Sequence, residues 1–170
     1  MNSNLLLIVL GSVIGLAAII MAFGERLFPG KYVYTEIEIE ASPETVWAVL
    51  ADNENYPAWN PYHVQVTGKM AVGEKLTVQI HKPNGEKTSV KPHLLRLIPN
   101  RELTWGGGIR GLFYGEHGFL LEEIENGRSR LIHKEAFTGL AVQFVPLEAI
   151  DEGYALMNEA LKQYIEGDEK

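Results

Sequence analysis

The sequence predicts an α+β domain behind one membrane-spanning helix, the domain being a curved antiparallel sheet wrapped around a long C-terminal helix. Three observations carry this. Residues 5–23 form an unbroken apolar run in which Ser12 is the only polar side chain. Residues 32–138 contain successive short runs of strand character separated by Gly, Pro and Asn turn signals. Residues 146–166 place Ile150, Tyr154, Met157, Leu161 and Tyr164/Ile165 at a helical period.

As a helix, residues 5–23 would measure roughly 28 Å, close to the hydrocarbon thickness of a bilayer. A secretory signal needs a basic leader, a shorter apolar core and a small-x-small cleavage site. Met1-Asn2-Ser3-Asn4 has no Lys or Arg, and Met21-Ala22-Phe23-Gly24 is a poor cleavage site. A retained single-pass anchor is therefore the expectation, with a cleaved signal or a buried soluble helix as the alternatives. Gly11 and Gly15 have the spacing that lets two such helices approach closely, a pattern also common without consequence. Arg26 and Lys31 follow the anchor and no basic residue precedes it, so the positive-inside rule puts the domain in the cytoplasm. The expected division is residues 1–30, anchor and linker, and residues 31–170, the domain. About 140 residues suffice for one sizeable core.

Residues 32–40 alternate, with Val33, Thr35, Ile37 and Ile39 on one face and Tyr34, Glu36, Glu38 and Glu40 on the other. That is a half-buried strand. Ser42 then offers an N-cap, Pro43 suits the first helical position, and Glu44 complements the helix dipole. Val46, Trp47 and Leu50 form the stripe of a short helix, with Trp47 expected in the core. Asp52-Asn53-Glu54-Asn55 breaks it, and Tyr56-Pro57-Ala58-Trp59-Asn60-Pro61 reads as a tight aromatic–proline corner. Strands are expected over 63–69, 75–82, 88–98, 102–105, 116–125 and 128–138, joined as hairpins. Gly106-Gly107-Gly108 and Gly111 predict a flexible hairpin tip over 105–115 that bears Leu112, Phe113 and Tyr114. Such a tip would gate a cavity, touch a membrane, or be an ordinary loop. It lacks the Lys-Ser/Thr context of a phosphate loop. Gly167 is a plausible helix stop.

Composition excludes several functions. The net charge is −7 and no Lys/Arg cluster exists, which argues against nucleic acid as a partner. With no cysteine there is no disulfide, no thiolate catalysis and no zinc-finger site.

Strand parity picks out the candidate site. His117, Phe119 and Leu121 share one face of their strand, and Leu131, His133, Glu135 and Phe137 share one face of the next. If these faces look inward, His117, His133 and Glu135 are the few polar groups of an apolar pocket, with Trp105 nearby and Tyr154 and Met157 supplied by the helix. Trp59 and Tyr62 would cap its mouth or simply fix the corner. A desolvated Glu135 beside His133 would have shifted pKa values and could move protons near neutral pH. The same pair would equally bind a ligand or be satisfied within the core. No metal or cofactor is expected: the ligand types are present, but their spacing has no metal signature. His63, His81 and His93 are expected to be structural or surface residues.

Five motifs in order resemble the START/Bet v 1-like superfamily (polyketide cyclase/dehydrase and lipid-transport proteins). They are Ser42-Pro43-Glu44-Thr45-Val46-Trp47, Tyr56-Pro57-Ala58-Trp59-Asn60-Pro61, Pro99-Asn100-Arg101-Glu102-Leu103-Thr104-Trp105, Gly115-Glu116-His117-Gly118-Phe119 and His133-Lys134-Glu135-Ala136-Phe137-Thr138-Gly139. The likeness spans residues 32–166 and omits the anchor. It implies the helix-grip fold, with a cavity between sheet and long helix for a hydrophobic small molecule such as a lipid, isoprenoid or polyketide. Members of this kind bind and carry, or catalyse cyclisation or dehydration. The expectation is therefore a membrane-anchored binder. The alternatives are a cyclase, dehydratase or hydrolase using His133 and Glu135, and a stress-related interaction module whose cavity is filled by Trp105, Phe119, Phe137 and Met157.

Overall fold

Helix α1 (Ser3–Leu27) opens the computed structural model, which describes residues 3–167; the ends of the chain, 1–2 and 168–170, lie outside the described residues. Its candidate membrane span, Asn4–Gly24, is exposed except at its end, where Gly24 is buried, and its large apolar side chains contribute nothing to the domain's core. Strand β1 (Lys31–Ile39) follows and keeps the expected parity, burying Val33 and Ile39. In α2 (Pro43–Ala51) the Ser42 side chain accepts from the Thr45 amide at 3.3 Å, and Pro43 occupies the first turn. Val46 and Leu50 are buried, whereas Trp47 is half-buried and packs on the outside of the core.

The predicted corner differs in one respect: after a 3-10 turn (Asn53–Asn55), Tyr56–Trp59 coils into a further helical turn, α3. Pro57 fits there because the first amides of a helix have no intrahelical acceptor. Tyr56 is locked inside by donating its hydroxyl to the Leu50 carbonyl at 2.9 Å.

Two antiparallel sheets follow. One is ordered β1-β8-β7-β6-β5, the other β2-β3-β4. The strands are β2 (His63–Thr67), β3 (Thr77–His81), β4 (Lys87–Val90), β5 (His93–Ile98), β6 (Glu102–Ile109), β7 (Phe113–Glu123) and β8 (Ser129–Thr138). A bridge between Lys75 and His93 links the sheets. Two predicted strands change. The run 88–98 divides at Lys91-Pro92, where proline removes a ladder donor, and its halves join different sheets. The run 102–105 extends to Ile109, because Gly106, Gly107 and Gly108 pair with Glu116, Gly115 and Tyr114. The glycines therefore form strand rather than a flexible tip, and the turn shrinks to Arg110-Gly111-Leu112, with Gly111 at φ +76°.

Helix α4 (Glu148–Gly167) fills the concavity and starts two residues later than the pattern predicts. It buries Tyr154, Met157, Leu161 and Ile165. Each of the three aliphatic side chains stabilises the domain by about 1.5–3 kcal/mol through lost water contact. Gly153 on α4 seats the ring of Tyr62: a Cβ there would stand 2.1 Å from Tyr62 Cε2.

Candidate functional site

Between α4 and the sheets lies a cavity of about 490 Å³, within the size range of small-molecule sites. Its wall is mainly apolar: Val78, Ile80 and Val90 from the small sheet, Trp105, Phe113 and Phe137 from the large one, and Val145, Ile150, Tyr62 and Tyr154 around the helix. Gly107 and Gly115 face each other across the β6–β7 ladder and both line it. A Cβ on Gly115 would stand 2.8 Å from Glu135 Oε1 and 3.3 Å from Phe137, so the missing side chain keeps space open beside the carboxyl group.

Glu135, His117 and His63 supply polar groups in the wall against the core, and Lys82, Thr88 and Lys91 also line the cavity. His117 and Glu135 are register partners on β7 and β8, which brings them side by side. Tyr154 donates its hydroxyl to Glu135 Oε2 in a short hydrogen bond. Burial pushes the Glu135 carboxyl up to about 7, opposed only in part by that bond. Burial, and then the neighbouring carboxyl group, hold the Tyr154 phenol well above its ordinary value.

His133 lies one layer deeper. Its ring stacks on Tyr154 with centroids 3.8 Å apart, Nδ1 meets Asn158 Oδ1 at 2.9 Å, and Nε2 meets His117 Nε2 at 2.7 Å. The Asn158 amide nitrogen donates to Thr35 Oγ1 at 2.8 Å, which leaves its oxygen as the acceptor for His133 Nδ1–H. Burial keeps both rings neutral, holding His133 and His117 well below the usual histidine range. A neutral His133 protonated at Nδ1 must accept at Nε2, so His117 donates from its own Nε2. Nδ1 of His117 then carries a lone pair, and it has no hydrogen-bond partner among the described residues. Trp105 stacks on this ring with centroids 4.6 Å apart.

Of the residues read from the sequence, Tyr62, Trp105, His117, Glu135, Phe137 and Tyr154 line the cavity. Trp59, Phe119, Leu121, His133 and Met157 are buried behind the wall. Trp59 packs on Tyr56 rather than capping the mouth. The expected His133–Glu135 partnership is absent too, since His133 pairs with Asn158 and His117, and Glu135 with Tyr154. His63, expected as a structural or surface residue, is buried and also lines the cavity. A register shift between His63 and Gln65 breaks the alternation that would have revealed it. Burial lowers its pKa to about 3. Among the described residues, no group of three His, Asp or Glu is placed to hold a metal ion.

Residues 32–167 match a family model described as polyketide cyclase / dehydrase and lipid transport. No curated protein matches the chain in sequence. Among solved structures, the Zhui aromatase/cyclase from Streptomyces sp. R1128 superposes with a TM-score of 0.67 at 16% identity, over 84% of this chain and 97% of that one. A START superfamily protein from Mycobacterium smegmatis gives 0.62 at 18%, over 80% and 97%. Ara h 8.0201 gives 0.63 at 13%, over 82% and 99%. At such identities the likeness is one of fold. With the family model covering residues 32–167, nearly all of β1 through to the end of α4, the chain belongs to the polyketide cyclase/dehydrase and lipid transport family.

Proposed function

We propose that this protein binds a hydrophobic small molecule bearing a hydroxyl or enol group, in the cavity between sheets and α4, at the surface of a membrane to which α1 anchors it. The observation that carries this reading is the pairing of an apolar cavity of about 490 Å³ with a carboxyl acceptor in its wall. The Glu135 carboxyl, pushed up to about 7 by burial, presents Oε1 beside the space left open at Gly115. A ligand whose apolar body lies along the wall and whose hydroxyl donates to the Glu135 carboxylate satisfies both demands. The open cavity disfavours an interaction module with a filled interior. Arg26 and Lys31 beside the span favour a cytoplasmic domain. A tethered carrier also meets a membrane-dissolved ligand at raised effective concentration.

A second reading, an enzyme, draws on one specific observation: a carboxyl group poised near pH 7 is suited to general acid–base catalysis. In it Glu135, with Tyr154, would exchange a proton with a bound substrate in a cyclisation or dehydration. His133 would only position His117, because it does not line the cavity. Glu135→Gln separates the two readings. A carrier keeps its ligand affinity within about tenfold, the loss of one hydrogen bond. An enzyme keeps binding and loses turnover by about 100-fold or more.

A further inference from the structure

Glycine brings the domain against the end of the anchor. A Cβ on Gly24 would stand 2.3 Å from the Gly111 carbonyl oxygen, and a Cβ on Gly111 would stand 2.3 Å from the Ile20 carbonyl oxygen and 2.7 Å from Met21 Cα. The β6–β7 turn thus lies flat against α1 between Ile20 and Gly24, which is inside the candidate span Asn4–Gly24. Those residues cover roughly 6 Å of helix axis. The 3-10 segment Leu140–Phe144 is fastened to the same place. Leu140 N donates to Gly111 O at 3.0 Å and Ala141 N to Leu112 O at 2.8 Å. Gln143 Nε2 donates to Pro29 O at 2.6 Å, and Lys31 Nζ to Val145 O at 2.8 Å.

Three large apolar side chains around this contact are open to solvent: Ile109 at 58%, Leu112 at 41% and Phe144 at 80% exposure. Each is the sequence neighbour of a residue that lines the cavity, namely Gly108, Phe113 and Val145. If α1 spans a bilayer, a turn lying alongside the last turn of the span, Ile20–Gly24, stands at the depth of the headgroup–acyl boundary. Apolar side chains of peripheral segments bury about 5–10 Å at that level.

We propose that the edge formed by Ile109, Leu112 and Phe144 is immersed in the membrane surface, so that the cavity end bounded by Gly108, Phe113 and Val145 faces the bilayer and the ligand enters from lipid. The proposal rests on the anchor reading above and adds the orientation of the domain. It explains why the side chains beside the cavity end are apolar and exposed in an acidic domain.

The chain contains no cysteine, so a single introduced one is a unique label site. Ile109→Cys, Leu112→Cys and Phe144→Cys are each labelled with an environment-sensitive fluorophore in the full chain. Glu125→Cys serves as control, in the turn just beyond the far end of the 11-residue β7 and roughly 35 Å from the β6–β7 turn. The proteins are reconstituted into phosphatidylcholine vesicles carrying a shallow nitroxide lipid. The three test labels are expected to lose most of their fluorescence and the control to keep it. Protein that floats with the vesicles while all three labels stay unquenched overturns the proposal and leaves the anchor intact. Labels shielded from both lipid nitroxide and an aqueous quencher overturn it in favour of a protein partner on this edge. Protein that does not float overturns the anchor reading and the proposal with it.

Discussion

His117 Nε2 and His133 Nε2 lie 2.7 Å apart in the core, and the direction of that hydrogen bond is set from the far side by Asn158. The line Thr35–Asn158–His133–His117 runs from β1 through α4 to the cavity wall and ends on an unused lone pair. Nitrogen-detected NMR should find His133 protonated at Nδ1 and His117 at Nε2, both neutral at pH 7. Asn158→Leu removes the acceptor for His133 Nδ1–H and should cost about 1–3 kcal/mol of stability, measured by denaturant unfolding.

Stability should rise from acid pH to a plateau near about pH 7.5–8. His63, His117 and His133 are held neutral by burial, so below about pH 6.5 the unfolded chain binds more protons than the folded one, and stability falls as pH falls. Glu135 acts with the opposite sign. Its raised folded pKa makes the native state hold an extra proton between about pH 4.5 and 7, so its contribution is lost as pH rises through that window. Three groups outweigh one, leaving a net loss of roughly 2 kcal/mol per pH unit on acidification from 6 to 5. Denaturation midpoints across pH 5–8 measure this, and Glu135→Gln, which removes the opposing titration, should steepen the loss on acidification by about 1 kcal/mol per pH unit.

Gly153 gives the ring of Tyr62 its seat, and a methyl group there has no room. Gly153→Ala should gain a little helix propensity yet destabilise the domain by about 1–3 kcal/mol through overpacking. Thermal unfolding checks the sign, and a stabilised variant would mean that Tyr62 moves aside without cost.

Removal of residues 1–24 should release the protein from membranes and leave ligand affinity unchanged, because α1 meets the domain around Ile20–Gly24 and supplies no residue to the cavity wall. Fractionation and ligand titration of the two forms test this together.

Much of the fold is legible in the sequence where one physical signal acts alone. The β1 alternation, the Ser42-Pro43-Glu44 cap and the helical stripe of α4 each show directly in the structure. Signals in competition were harder to read. Three consecutive glycines usually mean a loop, yet Gly106, Gly107 and Gly108 stay in strand because their ladder partners on β7 hold the backbone, and all three line the cavity. Parity correctly turns His133 inward, but parity says nothing of depth. Whether His133 touches a ligand depends on Tyr154 and His117 covering it, and those contacts join residues far apart in the chain. His63 was hidden by a bulge, which cancels the period that parity relies on.

The central claim, an apolar ligand in the cavity, is tested most directly by native mass spectrometry of the full chain, together with analysis of its organic extract. The comparison is Ile150→Trp, which places a large ring into the cavity from the first turn of α4. The account predicts one hydroxylated apolar molecule at near-stoichiometric yield from the unmodified protein, and its loss from a folded Ile150→Trp variant. An empty, well-folded protein, or a molecule retained equally by both, would contradict it.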